Sequence, residues 1–143
     1  MADTKGVADA AVEAFNAHDQ ERMRSLYADN ATFEAPGDVH LEGPDAISEY
    51  AMAWLRAFPD ATLTVHSQVI AGENAVHEFT FEGTHDETLV GPAGEVPATH
   101  RRLVGRGVEA IKVQDGKIVE DHLYFDQVQV MTQLGLMPEP ATA

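Results

Sequence analysis

Apolar positions along the chain fall into two regimes, helical spacing up to Phe58 and strand spacing beyond it. Val7, Ala8, Ala11, Val12 and Phe15 form one apolar face over about residues 4–18, which predicts a helix with Thr4 as its candidate N-cap. Asn16-Ala17-His18-Asp19 breaks that pattern. A short helix over residues 21–27 follows, burying Met23, Leu26 and Tyr27, and the two read as a helical hairpin. Ala31-Thr32-Phe33-Glu34 is short and β-prone and is stopped by Pro36-Gly37-Asp38. Leu41-Glu42-Gly43-Pro44-Asp45 then leads into a third helix, with Pro44 or Asp45 in its first turn. Its stripe is Ile47, Tyr50, Ala51, Trp54, Leu55 and Phe58, which suits either core packing or the wall of a cavity that the helix covers.

After Pro59-Asp60 the chain reads as strand almost to its end. Residues 62–70 are rich in β-branched side chains, and Gly72-Glu73-Asn74 turns them. The strand over 76–85 places His77, Phe79, Phe81, Gly83 and His85 on one face. A long loop over 84–99 contains Gly91-Pro92, Gly94 and Pro97. A long strand over 100–113 follows, interrupted by Gly105 and Gly107, where a bulge or bend is expected. Asp115-Gly116 is a hairpin signal, leading into a strand over 117–125 and a short amphipathic helix over 127–134. Strict alternation along that last strand gives one face to Ile118, Glu120, His122, Tyr124 and Asp126, and the other to Val119, Asp121, Leu123 and Phe125. Tyr124 and His122 between carboxylates make the first face the expected pocket wall. Three helices followed by a curled antiparallel sheet form an α+β architecture with the helices over one face of the sheet. A strongly bent sheet with helices across its mouth encloses a cone-shaped cavity, a natural small-molecule site.

Composition narrows the partners. At 143 residues the chain is expected to be a single domain over 1–143 with a proper core. Its 24 acidic against 9 basic residues, a net charge of −15, argue against nucleic acid and against anionic membranes. Cysteine is absent, which removes disulfides and thiolate chemistry. No apolar run approaches the roughly 20 residues that span a bilayer, and MADTKGVADAAVEAF does not read as a signal peptide, so a cytoplasmic location is expected. The seven histidines form no H-x-H, H-x-x-x-H or H-E-x-x-H pattern. His77 and His85 share a strand face but stand roughly 26 Å apart at about 3.3 Å per residue. No metal site is expected.

The chemistry these residues suit is proton abstraction next to a carbonyl. It needs a base within hydrogen-bond reach of the carbon and a donor that meets the charge developing on oxygen. Asp126 is the candidate base, its pKa raised if it is buried among Tyr124, Phe79 and Phe81. His85, His122 and Tyr124 are candidate donors, and the chemistry calls for no metal or cofactor. Each has a plain structural alternative. Asp126 suits an N-cap of the last helix, His85 a solvated strand end, and His122 a satisfied core position. Glu120 and Asp121 read as structural or solvated, and Arg101, Arg102 and Arg106 as partners for the excess acids.

Asp115-Gly116-Lys117-Ile118-Val119-Glu120, Tyr124-Phe125-Asp126-Gln127 and Gln133-Leu134-Gly135-Leu136 resemble the SnoaL-like polyketide cyclases, within the nuclear transport factor 2-like and ketosteroid isomerase-like superfamily. Phe81-Glu82-Gly83-Thr84-His85, Pro97-Ala98-Thr99 and Glu42-Gly43-Pro44-Asp45-Ala46-Ile47 extend the resemblance over nearly the whole chain. It implies the cone-shaped α+β barrel of that superfamily and an aspartate near the end of the last strand as general acid/base, matched here by Asp126. It also implies a homodimer through the exposed sheet face. The chain departs from the family pattern at His122, where a large aromatic is usual, and at His100, where glycine follows the Pro-x-Thr turn.

The expected function is a cyclase or isomerase acting on a hydrophobic carbonyl compound through enolate, aldol-type chemistry. Asp126, His122 and His85 would be catalytic, and Tyr124, Trp54, Tyr50, Phe79, Phe81 and Phe33 would contact substrate. A non-catalytic protein holding a hydrophobic ligand in the same cone is the alternative. Epoxide hydrolysis through an Asp-Arg-Asp set is a third reading, and Arg106-Gly107-Val108-Glu109 lacks the Arg-x-Asp unit.

Overall fold

The computed structural model describes residues 3–91 and 94–137. Helix α1 (Thr4–Asn16) is capped by Asp3, whose carboxylate accepts from the Gly6 amide at 2.6 Å, while the Thr4 hydroxyl instead donates to the Gly72 carbonyl at 2.8 Å. The expected cap is therefore displaced by one residue, because an aspartate stands just ahead of it. Helix α2 (Gln20–Ser25) ends before Tyr27, which opens strand β1 (Tyr27–Ala35) rather than closing the helix. Strand β2 (Val39–Glu42), not anticipated from the sequence, pairs back on β1 and leads through Gly43 at φ 90° into α3 (Pro44–Ala57). Strands β3 (Thr62–Ala71), β4 (Asn74–Thr84), β7 (Arg102–Gln114) and β8 (Lys117–Phe125) form the long antiparallel meander, and α4 (Gln127–Gln133) closes the described fold. The long loop carries a small hairpin, β5 (Leu89–Gly91) and β6 (Gly94–Val96); Pro92 of that loop lies outside the described residues.

The main sheet has the order β2-β1-β8-β7-β4-β3. It is curved and mixed rather than wholly antiparallel, since β1 runs parallel to β8. The chain between β1 and β8 runs through β2, α3 and the rest of the sheet before it returns beside β1 in the same direction. Such a crossover is what makes a parallel neighbour possible.

Three apolar clusters lie between the helices and the concave face. One joins Ala14 and Met23 to Leu55 of α3 and Phe58 at its C-cap, Phe79 and Phe81 of β4, Leu103, and Val130 and Leu134 at α4. A second packs Val7 and Ala8 on Ala75, Ile111, Val113 and Ile118, and a third packs Ile47 on Ala31, Phe33 and Val39. Phe58 and Leu55, at 0 % and 2 % exposure, each contribute about 1.5–3 kcal/mol by burial, which is why α3 holds its stripe against the sheet.

The glycines of β7 do not mark a bulge, because β4 and β7 stay in unbroken register from Asn74 to Thr84. Gly107 instead makes room. A Cβ there would sit 2.5 Å from Cζ of Phe79 and 2.9 Å from the Tyr124 carbonyl oxygen. The bulge lies in β8, where Lys112 pairs with Glu120 but Val113 pairs with Ile118, leaving Val119 as the extra residue. Asp115 and Gly116 both have positive φ, 52° and 74°, as a tight hairpin turn of this kind requires.

Candidate functional site

The bulge at Val119 decides which face of β8 looks inward. Inserting one residue flips the alternation beyond it. Ile118 stays buried, but Glu120, His122 and Tyr124 turn outward and Asp121, Leu123 and Phe125 turn inward. The face expected to be the pocket wall is therefore the outer one, a correction with a single local cause.

Beneath the helices lies a cavity of about 140 Å³. Its wall is largely aromatic, with Phe15, Phe33, Tyr50, Trp54, Phe79, Phe81 and Phe125, and its polar lining includes Glu109 and Tyr27. Five of the six residues expected to contact substrate thus line it: Phe33, Tyr50, Trp54, Phe79 and Phe81. Tyr124, at 59 % exposure, stands on the opposite side of the sheet. The rings hold one another in place. Trp54 meets Phe125 edge-on at 5.8 Å and Phe81 at 5.9 Å between centroids, and Phe33 lies 5.0 Å from Tyr50.

The residues expected to act together are not brought together. Asp126 is exposed and caps α4, its carboxylate accepting from the Gln129 amide at 3.1 Å. His122 is half-exposed among surface carboxylates, 3.6 Å from Glu34 and 4.0 Å from Glu120. His85 is fully buried but away from the cavity lining. Its Nδ1 accepts from the Thr99 amide at 3.3 Å and contacts the Thr99 hydroxyl at 3.0 Å, and its ring stacks on Phe58 at 5.0 Å. Burial pushes its pKa down. Its backbone bonds Arg101 and His100, so it ties down both ends of the long loop. His100, standing where the family favours glycine, does adopt the left-handed conformation, with φ 58°.

The structure instead assembles four polar side chains in sheet order across β1, β8, β7 and β4: Tyr27, Asp121, Glu109 and His77. Glu109 lies directly opposite His77 in the β4–β7 register. Since Glu109 pairs with Leu123 and Ile111 with Asp121, Glu109 and Asp121 are diagonal neighbours on one face of β7 and β8. The Tyr27 hydroxyl donates to Oδ2 of Asp121 at 2.6 Å. His77 Nε2 lies 3.1 Å from Oε1 of Glu109. Asp121 and His77 are each only 1 % exposed. The Glu109 side chain keeps 24 % of its surface accessible although it lies deep in the protein, because that surface faces the cavity.

Burial governs the ionisation of all four. It pushes the carboxyl of Asp121 well above its usual range, with the negative charge of Glu109 adding to the effect. It pushes Glu109 up as well, opposed by the hydrogen-bonding influence of Asp121. It lowers His77 and raises Tyr27 well above the ordinary phenol. His77 Nε2 and the Glu109 carboxyl thus share a hydrogen bond in a setting where burial disfavours the charged form of each. Oδ1 of Asp121 and Nδ1 of His77 are buried without a conventional hydrogen-bond partner among the described residues. The outcome is two neighbouring buried acids whose charged forms are both disfavoured, with Glu109 the one at the cavity wall.

The sequence puts His77 on the face shared with Phe79 and Phe81, reads Asp121 as structural or solvated, and brings in Glu109 only in the argument against epoxide hydrolysis. The available signal was phase: Glu109 shares alternation with Leu103, Ile111 and Val113, all buried. Among the described residues no group of three or more His, Asp or Glu side chains is arranged to hold a metal ion. Arg102 does pair with acids, Glu82 at 3.1 Å and Asp60 at 3.9 Å. No described helix is long and apolar enough to cross a membrane.

Known proteins share this architecture. A proposed SnoaL-like polyketide cyclase from Jannaschia sp. CCS1 superposes with a TM-score of 0.82 at 17% identity, over 94% of this chain and 93% of that one. IdmH, a proposed polyketide cyclase from Streptomyces antibioticus, gives 0.76 at 28% identity, over 92% and 98% of the two chains. An epoxide hydrolase of the LEH-like type from M. tuberculosis gives 0.66 at 15% identity, over 90% and 86%. No curated protein matches the chain. The family model for SnoaL-like polyketide cyclases matches residues 5–134, and with that match the chain belongs to the SnoaL-like polyketide cyclase family.

Proposed function

We propose that this protein is an acid/base enzyme that removes a proton next to the carbonyl of a small apolar compound, the step that opens an aldol-type cyclisation or an isomerisation. The observation that carries this reading is the buried row Tyr27–Asp121–Glu109–His77 with Glu109 at the cavity wall. Glu109 is the base. Enclosure strengthens it by raising its pKa, and the Nε2–H of His77 aims it. Asp121, held by Tyr27, keeps a shared proton beside Glu109 and so lets the pair exchange one proton without accumulating two buried charges. Tyr50 is the donor to the enolate oxygen. It lines the cavity, and burial keeps its hydroxyl protonated. The step needs only side chains of this chain.

Exchange of α-protons tests this directly. Cyclohexanone in D2O should lose its α-protons by NMR faster with the protein present, and Glu109→Gln should lower that rate by about 10²–10⁴-fold while the circular dichroism is unchanged. Exchange by Glu109→Gln at the wild-type rate would remove Glu109 as base. Stoichiometric binding of the ketone with no exchange in the wild type would instead favour a ligand-binding protein. The epoxide hydrolase reading gains little, because among the described residues no arginine pairs with Glu109 or Asp121.

A further inference from the structure

The cavity that Glu109 faces is small for the aromatic surface around it. An apolar cavity of about 150 Å³ takes one benzene ring, and this one measures about 140 Å³. A second chamber of about 290 Å³ lies next to it, between α3, α4 and the β5–β6 hairpin, walled by Val39, Leu89, Val96, Met131 and Leu134 among others. The two chambers share Tyr50, Trp54, Phe125 and Val130. Trp54 and Phe125, locked edge-to-face at 5.8 Å, are therefore the partition between an inner chamber with a carboxylate and an outer chamber without a buried charge.

We propose that the substrate is a two-part molecule: a compact head of one ring bearing the carbonyl, which fills the inner chamber, and a flexible apolar tail, which passes the Trp54–Phe125 partition and lies in the outer chamber. A rigid fused system of three or more rings does not fit this division, because a flat plate cannot occupy two chambers separated by crossed rings. This inference rests on the acid/base reading only for the word carbonyl; the division of the cavity stands without it.

The test uses unreactive probes, so that it is separate from turnover. Trp54 is the single tryptophan of the chain and stands at the partition, which makes its fluorescence a reporter of entry. Phenol, 4-pentylphenol and 9-phenanthrol are titrated, with calorimetry as the second readout. Burying a methylene is worth about 0.8 kcal/mol, roughly fourfold in affinity, so 4-pentylphenol should bind at least tenfold more tightly than phenol. Met131→Gln, in the outer chamber alone, should cut that gain at least threefold and leave phenol unchanged. Phenanthrol should bind the wild type weakly and Phe125→Ala at least tenfold better. Equal affinities for phenol and 4-pentylphenol, a tail gain untouched by Met131→Gln, phenanthrol binding the wild type as tightly as 4-pentylphenol, or no binding of either phenol at millimolar concentration would each overturn the proposal. Tight probe binding with no ketone exchange would leave the two chambers standing and remove the enzyme reading; exchange without the tail gain would do the reverse.

Discussion

The two faces of β8 carry similar chemistry to opposite ends. The inner face holds Asp121 beside Leu123 and Phe125; the outer face holds Glu120 beside His122 and Tyr124. Outside, Glu120 and His122 stand 4.0 Å apart, with Lys112 also 4.0 Å from Glu120, all of them in reach of water. Solvent screens such contacts, and pairs of this kind contribute little. Inside, an equivalent carboxylate loses its water, and its pKa rises well above the usual range. Residue type does not separate the two faces. Enclosure does, and one inserted residue, Val119, chooses which face is enclosed.

The sharpest way to break that comparison is to neutralise one glutamate from each face. Glu109→Gln should cost about 10²–10⁴-fold in ketone exchange. Glu120→Gln, on the far side of the same sheet, should stay within twofold. Equal losses from both would mean that exposure is a poor guide to function here, and an intact Glu109→Gln would move the chemistry elsewhere.

Asp121 gives a smaller effect with a defined pH signature. Its folded pKa lies above its ordinary 3.8, so the native chain holds a proton that the unfolded chain releases. The stability linked to that proton is complete below the unfolded pKa and is lost as pH rises through the folded one. Asp121→Asn keeps the shape and a donor toward Glu109 but removes the ionisation. Its melting temperature relative to wild type should therefore climb between pH 5 and pH 8, by on the order of 4 °C, the shift that about 1 kcal/mol produces in a domain of this size. His77, lowered by burial, works in the opposite sense, because the unfolded chain binds a proton more readily as pH falls through its ordinary 6.5. Glu109, His77 and Tyr27 each feel Asp121 directly, so the melting difference reports the titration of the whole row with and without the Asp121 carboxyl. A melting difference that is flat with pH would mean that Asp121 is not the proton holder.

Most of the fold was legible because periodicity is a local signal. Helix α3, the β7–β8 turn at Asp115-Gly116 and the aromatic wall of Phe33, Tyr50, Trp54, Phe79 and Phe81 all follow from spacing and turn chemistry. The placing of Asp121 and Tyr27 in the buried row was not, for two physical reasons. Alternation in the sequence runs straight through Val119, whereas a bulge is a pairing event between β7 and β8 that no single strand announces. Tyr27 continues the apolar stripe of α2, which predicts a helix there, although its place beside Asp121 comes from the parallel pairing of β1 with β8. The second concerns a contact between residues 94 positions apart, Tyr27 and Asp121, where sequence spacing carries no information.

Asp126 completes the comparison, as the carboxylate that family resemblance favours and enclosure does not. It lies at the end of the same strand as Asp121, yet its side chain is exposed and accepts from the Gln129 amide, the ordinary bond of an N-cap. A capping aspartate replaced by alanine costs about 1 kcal/mol, because one amide of the first turn loses its partner. Asp126→Ala should therefore lower the melting temperature by about 4 °C or less, and Asp126→Asn, an equally good cap, should leave it nearly unchanged. Neither should alter ketone exchange by more than twofold, with one route of influence. Helix α4 brings Val130 to the cavity wall, so fraying its first turn reaches the pocket through packing. Asparagine restores the cap but not a base, so it separates the two roles. If Asp126→Asn keeps the melting temperature and loses exchange a hundredfold, Asp126 is the base after all, and Glu109 and Asp121 are a buried structural pair.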